Sequence, residues 1–298
     1  NSVAPTGLPY TIVVDSITVD EAPLSIGDQV AVFEFDDNTQ TDIAVGSMVY
    51  TGQGGGVNTT TALNFDGSNN NYVFLPNDLL DGMVYMTIEF WIRSNGIYKS
   101  MNTVIHGTHT GGNDFWIDFK HDRINVVTQH GDLNGYISHQ NDQWYHVAIV
   151  REGSTLRIFE DGILLGETSM SSSPFNITGA VVLGQEQDGI GGGFDSNQAL
   201  EGQIDDLRIW NRALSNAEIQ DKMNKALTPI EETGLKGYWR FDEASGTIVH
   251  DISGNGNDGV IYGATWTDEA PSLTYPSSSL HITAWEADPD NGLDGFTA

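Results

Sequence analysis

Apolar and polar residues alternate with a period of two along much of this chain, in runs of only five to ten or so residues. Such runs set every second side chain on one face of a pleated strand. The pattern predicts strands at residues 10–17, 29–35, 86–93, 114–119, 124–128, 144–151, 156–160, 180–183, 202–210 and 235–241. Turn chemistry separates them, at Asp66-Gly67, Asp161-Gly162, Gly191-Gly192-Gly193 and the Ser-rich stretch 171–174. One segment instead has helical spacing. Ser215 with Glu218 three residues on forms a capping-box pattern, and Ile219, Met223 and Ala226 share one face of a predicted helix over 216–226. Many short strands with one short helix specify an all-β fold, a two-sheet sandwich or jelly roll.

Two low-complexity stretches punctuate the pattern, TGQGGGVNTTT at 51–61 and PSLTYPSSS at 271–279, and both read as linkers. They divide the chain into a sandwich over 53–272 and a second, small β domain assembled from the N- and C-terminal arms, 1–52 and 273–298. A chain of 298 residues with 39% hydrophobic side chains can bury a core of that size.

Charge narrows the function. Twelve Lys and Arg stand against 41 Asp and Glu, a net charge of −29. A field of that sign repels nucleic acid and anionic membrane surfaces and draws in divalent cations. No apolar run reaches the roughly 20 residues of a membrane span, so membrane insertion is not expected. The chain has no cysteine, which removes disulfides and thiolate metal sites. It starts Asn1-Ser2-Val3, with neither Met nor a leader pattern, as a mature, processed or excised chain would.

Candidate chemistry concentrates at residues 183–202, LGQEQDGIGGGFDSNQALEG. A strand runs out into Glu186-Gln187-Asp188, and a Gly-rich loop follows with Asp195 and Gln198. The stretch collects oxygen donors only. Calcium takes six to eight such donors in flexible geometry, from carboxylates, amides and main-chain carbonyls. Glycines allow the backbone to bring them together.

This stretch resembles the calcium loop of pentraxins. The resemblance implies that Glu186, Gln187, Asp188, Asp195 and Gln198 are calcium ligands, joined by Asn113 and Asp114 from a neighbouring loop. The family has an Asp-Asn pair there, reversed in this chain, and a Glu where this chain has Asp195. By the same analogy Phe119 could wall an apolar spot beside the ion, a core position being the other reading, and Trp116 and Tyr136 could stack on sugar rings. Further blocks appear in order: ALNFDG from Ala62, TIEFWI from Thr87, QWYHVA from Gln143, FEDG from Phe159 and IDDLRIWNRALS from Ile204. Together they are similar to the laminin-G/pentraxin group of bacterial concanavalin A-like domains over about 200 residues. That similarity implies a jelly roll binding ligands at the calcium or on its concave face.

Other signals carry less. The sequence DISGNGNDG from Asp251 suits a tight turn, with a second, structural calcium as the other reading. DPDNGLDG from Asp288 lacks the closing Glu of an EF-hand loop. Six of the eight histidines fall between 106 and 146 without a zinc-binding spacing. No run of acids alternates along one strand face as a glycan hydrolase needs, and no catalysis is expected. The arms, around residues 9–14, 27–33 and 282–286, resemble one small β domain of bacterial surface proteins. That domain stops where a further strand is expected, so neighbouring copies could add to an open sheet edge. The expected function is calcium-dependent binding of a glycan or phosphate ester, outside the cell or at its surface. The alternative is an adhesive or filament module in which calcium only stiffens the loop.

Overall fold

The computed structural model describes residues 61–274 except Asn113 and the Ile230 side chain, plus the strand backbones of six short segments outside that stretch. The chain divides into two units, 1–58 with 277–298, and 59–276. In the first unit β1 (Tyr10–Val13) pairs antiparallel with β22 (His281–Ala284), which joins the two arms of the chain in one ladder. β2 (Thr18–Val19) pairs with β3 (Ala22–Pro23), and β4 (Gln29–Asp36) with β5 (Thr41–Val49). The expected linkers lie outside the described residues, apart from Thr61 and 271–274, as do the loop from Asp288 and the expected open edge.

The second unit is a sandwich of two antiparallel sheets. Its first sheet is ordered β15 (Ile163–Ser169), β14 (Thr155–Glu160), β13 (Trp144–Glu152), β8 (Tyr85–Ser94), β17 (Glu201–Trp210), β6 (Ala62–Asp66) and β21 (Thr265–Thr267), with β18 (Leu235–Trp239) also on β17. The second sheet is ordered β12 (Leu133–Tyr136), β11 (Arg123–Thr128), β10 (Phe115–Lys120), β9 (Thr103–Thr108), β16 (Ala180–Leu183), β7 (Tyr72–Leu75), β20 (Gly259–Tyr262) and β19 (Ile248–Val249). Alternation decides which residues fill the space between the sheets. Met86, Ile88, Phe90 and Ile92 of β8 point inward, as do Phe115, Ile117 and Phe119 of β10 and Val181 and Leu183 of β16, and all are buried in one core. The intervening residues face outward on each sheet.

Some of the strands that the alternation misses have clear causes. β6, β7 and β20 are four or five residues long, too short for a pattern to stand out. β9 reads TVIHGT and is buried on both faces, so it does not alternate.

The outward face of the first sheet is closed by α1 (Asn216–Lys222) and the segment after it. Ser215 caps α1 and Glu218 completes the capping box, as the sequence predicts. The helix ends at Lys222, short of 226, because the sheet takes its last carbonyls. Trp91 Nε1 donates to the Met223 oxygen at 2.9 Å, and the Arg208 guanidinium donates to the Lys222 and Lys225 oxygens at 3.2 and 2.5 Å. Arg208 is fully buried, so its charge must be matched. Glu89 accepts from it at 3.2 Å, Asp206 pairs with it too, and Trp210 and Tyr238 donate to those two carboxylates at 3.1 and 2.6 Å. The loop from Asp251 is a turn braced by its own acid. The Asp251 carboxylate accepts from the amides of Tyr238, Ser253 and Asn257, and these bonds occupy both oxygens.

His146 lies against this network, 3.6 Å from Glu89, and burial with the Arg208 charge nearby pushes its pKa down to about 3. The unfolded chain takes up that proton near pH 6.5 and the folded chain does not. Stability is therefore lost as pH falls from 6.5 towards 3. His146→Gln should destabilise the protein at pH 7.5 by about 1–3 kcal/mol. The gap to the native protein should narrow as pH falls from 6.5 to 4 in thermal melts. A gap constant with pH would mean that His146 titrates normally in the fold.

Candidate metal centre

Two loops meet at one rim of the second sheet. One joins β9 to β10 and contains Asp114; the other joins β16 to β17 and contains residues 184–200. They touch at glycine: a Cβ on Gly111 would stand 2.8 Å from the Gly189 Cα, and Gly111 has a φ of +85°. Only glycine fits that approach. Gly193, at φ +77°, packs as closely on Asp188, where an added Cβ would be 2.8 Å from the Asp188 Cβ.

His106 on β9 pins the long loop to the sheet. Its Nδ1 accepts the Gln187 main-chain N–H at 2.7 Å, which leaves the ring proton on Nε2. Burial pushes its pKa down to about 4, so the ring is neutral at physiological pH. The Gln187 side chain is also spent on position. Its Nε2 donates to the His106 carbonyl at 3.0 Å and its Oε1 accepts the Gly191 N–H at 2.8 Å. Gln187 can thus offer an ion its main-chain oxygen, with its amide held as a brace.

Glu186 differs from its neighbours. It is buried at 3% exposure, and its Oε2 has no hydrogen-bond partner. The nearest base is the neutral His106 ring at 3.8 Å. Burial raises its pKa to about 7, and the charges of Asp188, Asp118 and Asp195 push in the same direction. Gln198 is similar: its Nε2 reaches only the Met101 sulfur at 3.4 Å, and its buried Oε1 has no partner. Asp188 and Asp195 are exposed at the mouth of the loop. Asp195 Oδ1 accepts from Asn197, and its carbonyl accepts from Gln198 and Ala199, forming a turn that carries Gln198 back toward the sheet.

Asp114 is hydrogen-bonded within its own loop. Thr108 and His109 donate to its Oδ2 at 3.0 and 2.6 Å, and Gln129 donates to Oδ1 at 3.0 Å. These bonds shape the β9–β10 loop and help hold its pKa below the usual carboxylate range despite burial. Asn113 lies outside the described residues. The sequence reading missed Asp118. It is an outward residue of β10, buried at 1% exposure, which accepts from Thr103 at 3.0 Å and sits 3.5 Å from the Lys120 amine. Its place in the alternation of β10, on the face opposite Phe119, was the available signal.

Among the described residues no three His, Asp or Glu side chains stand close enough together to hold an ion as they are. The chemistry of the donor set nevertheless fits a hard divalent cation. A buried carboxylate oxygen and a buried amide oxygen lack partners, and three acids crowd the first of them.

Of the expected ligand-stacking residues, Phe119 is corrected. It points into the core at 1% exposure, against His139 and Tyr145, because it shares the inward register of Phe115 and Ile117. Trp116 faces outward beside His106, with its indole N–H 3.3 Å from Asp118. Tyr136 is exposed on the edge strand β12. The clustered histidines do not converge: His139 is bonded to Glu160 and the Lys120 carbonyl, and His146 lies in the other sheet.

The profile of the Concanavalin A-like lectin/glucanases superfamily matches residues 66–220. Among curated proteins, the chain is 38% identical over 90 residues to neuronal pentraxin-2 of Cavia porcellus, covering 28% of this chain and 21% of that one. It is 26% identical over 161 residues to C-reactive protein 1.4 of Limulus polyphemus, covering 49% of this chain and 64% of that one. The match spans less than two thirds of either relative. A solved structure of a Bacteroides ovatus protein, described as a candidate carbohydrate-binding protein, superposes with a TM-score of 0.59 at 18% identity, over 72% of this chain and 61% of that one.

The state of Glu186 gives a prediction with a definite sign. Without a cation its folded pKa, about 7, exceeds its unfolded value of 4.5. Its contribution to stability is therefore lost as pH rises from 4.5 through 7. In chelator, Glu186→Gln should melt at about the same temperature as the native protein at pH 5, and several degrees above it at pH 8. Equal melting at pH 8 would show that Glu186 carries its charge there without cost.

Proposed function

The chain belongs to the Concanavalin A-like lectin/glucanases superfamily, laminin G- and pentraxin-like, and from that premise we propose that it is a calcium-dependent carbohydrate-binding module with no catalytic role. One observation carries the calcium: the buried Glu186 Oε2 and Gln198 Oε1 lack partners on a loop whose other acids, Asp188 and Asp195, face solvent. Calcium would be held by Glu186, Asp188, Asp195, Gln198 and the Gln187 carbonyl, and when bound it supplies open coordination positions for ligand hydroxyls.

The carbohydrate is supported by the family and by the Bacteroides ovatus neighbour's description. The chain's own charge adds to it, since −29 disfavours phosphate-rich partners as it does nucleic acid. No helix among the described residues is long and apolar enough to cross a membrane. We place the module outside the cell or on its surface, where calcium is abundant, in adhesion to cell-surface glycans. The two-unit division proposed for the chain, with the arms forming a small β domain open to neighbouring copies, belongs to the same reading.

Asp188→Ala should lower the melting temperature by about 5–10 °C in calcium at a hundredfold excess over Kd, and leave it unchanged in chelator. Equal losses in both conditions would refute the cation. Glycan-array binding abolished by chelator supports a coordination position open to ligand. Array binding indifferent to chelator would make any bound calcium structural, as in a filament or adhesin module.

A further inference from the structure

Across β16 from Trp116, the outward face of the second sheet bears a cluster of aromatic rings. Strand register sets Val182 opposite Phe74, Phe74 opposite Val260, Val260 opposite Ile248, and Tyr72 opposite Tyr262. Their chain neighbours Val73, Leu75 and Ile261 belong to the core, so these side chains face away from it. The Tyr72 and Tyr262 rings stack with centroids 4.9 Å apart and an interplanar angle of 16°. Phe74 meets them edge-on at 5.2 and 5.6 Å, and Phe194 of the Gly-rich loop leans on Tyr72 at 4.6 Å.

Seating the loop explains part of this. Phe194 rests on Tyr72, and a Cβ on Gly191 would stand 3.2 Å from the Phe74 ring. It does not explain Tyr262, which is 45% exposed, or Val260 and Ile248 beyond it, or Ile190 at 57% on the loop. A contiguous apolar surface left in water beside a candidate cation site marks a contact area.

Building on the carbohydrate reading above, we propose that this aromatic face stacks against a ring of an uncharged oligosaccharide, a neighbouring unit of which sits at the cation loop. The face of an aromatic ring is electron-rich, and the C–H edge of a sugar ring is its electrostatic complement. Charge selects the neutral occupant. The platform carries no Lys or Arg, the adjoining loop carries Asp188 and Asp195, and the chain as a whole is at −29. An anionic polymer, or a second copy of this chain, would bring like charge to like.

The test titrates the full chain with neutral hexasaccharides of glucose, xylose, mannose, galactose and arabinose, and separately with calcium alone. Tyr262→Ala should weaken the tightest hexasaccharide about tenfold or more, the worth of one stacked ring, while Tyr262→Phe keeps it. The calcium titration should be the same for all three proteins, which shows that the variants are folded. Calcium binding with no hexasaccharide binding, or hexasaccharide binding untouched by Tyr262→Ala, overturns the platform and leaves the cation reading intact. Hexasaccharide binding that needs Tyr262 but ignores chelator keeps the platform and removes the cation. A native dimer in sedimentation that Tyr262→Ala dissolves would assign the surface to a second copy and overturn the proposal.

Discussion

A charge taken out of water inside this sandwich must meet an opposite charge or change its protonation. The outward faces of the two sheets answer that constraint in different ways. On the first, Arg208 is enclosed with Glu89 and Asp206 and also donates to the carbonyls of Lys222 and Lys225. Arg208 thus fastens the end of the helix to the sheet. On the second, Glu186 is enclosed with other acids and a neutral histidine, and one of its oxygens has no partner. Among the described residues no positive charge faces Glu186 on the second.

Most of the sandwich could be read before any coordinates. Period-two alternation found most of the long strands of the sandwich. It failed at β9, where Thr103, Val104, Ile105, His106 and Thr108 are all buried because the Gly-rich loop covers the outer side. Nothing local in TVIHGT says that a loop 80 residues later will lie on it. Phe119 failed for the opposite reason. A matching motif suggested a surface role, but its place two residues from Ile117 in an alternating strand puts it inside, and register overrides analogy.

The candidate site was legible as a composition of donors but not as an allocation of them. Gln187 and Asp114 have the right chemistry for ligands, and the fold spends their side chains on shaping loops: Gln187 on His106 and Gly191, Asp114 on Thr108, His109 and Gln129. A sequence cannot show that division, because a carboxylate bracing a turn and one holding an ion look alike in one dimension. The turn at Asp251 makes the same point, since each of its oxygens is taken by main-chain amides.

The carboxylates left with free oxygens are Glu186, Asp188 and Asp195, and a single divalent ion already cancels two of their three charges. Asp118, the next acid, has Lys120 and Thr103 beside it. Under the proposed reading, the β16–β17 loop would supply most of the ligands of a bound calcium. Such an ion would do for that loop what Asp206 and Glu89 do for Arg208. It would supply the missing counter-charge, and, because the loop's acids face solvent on one side, it would do so with a coordination sphere that the protein does not fill.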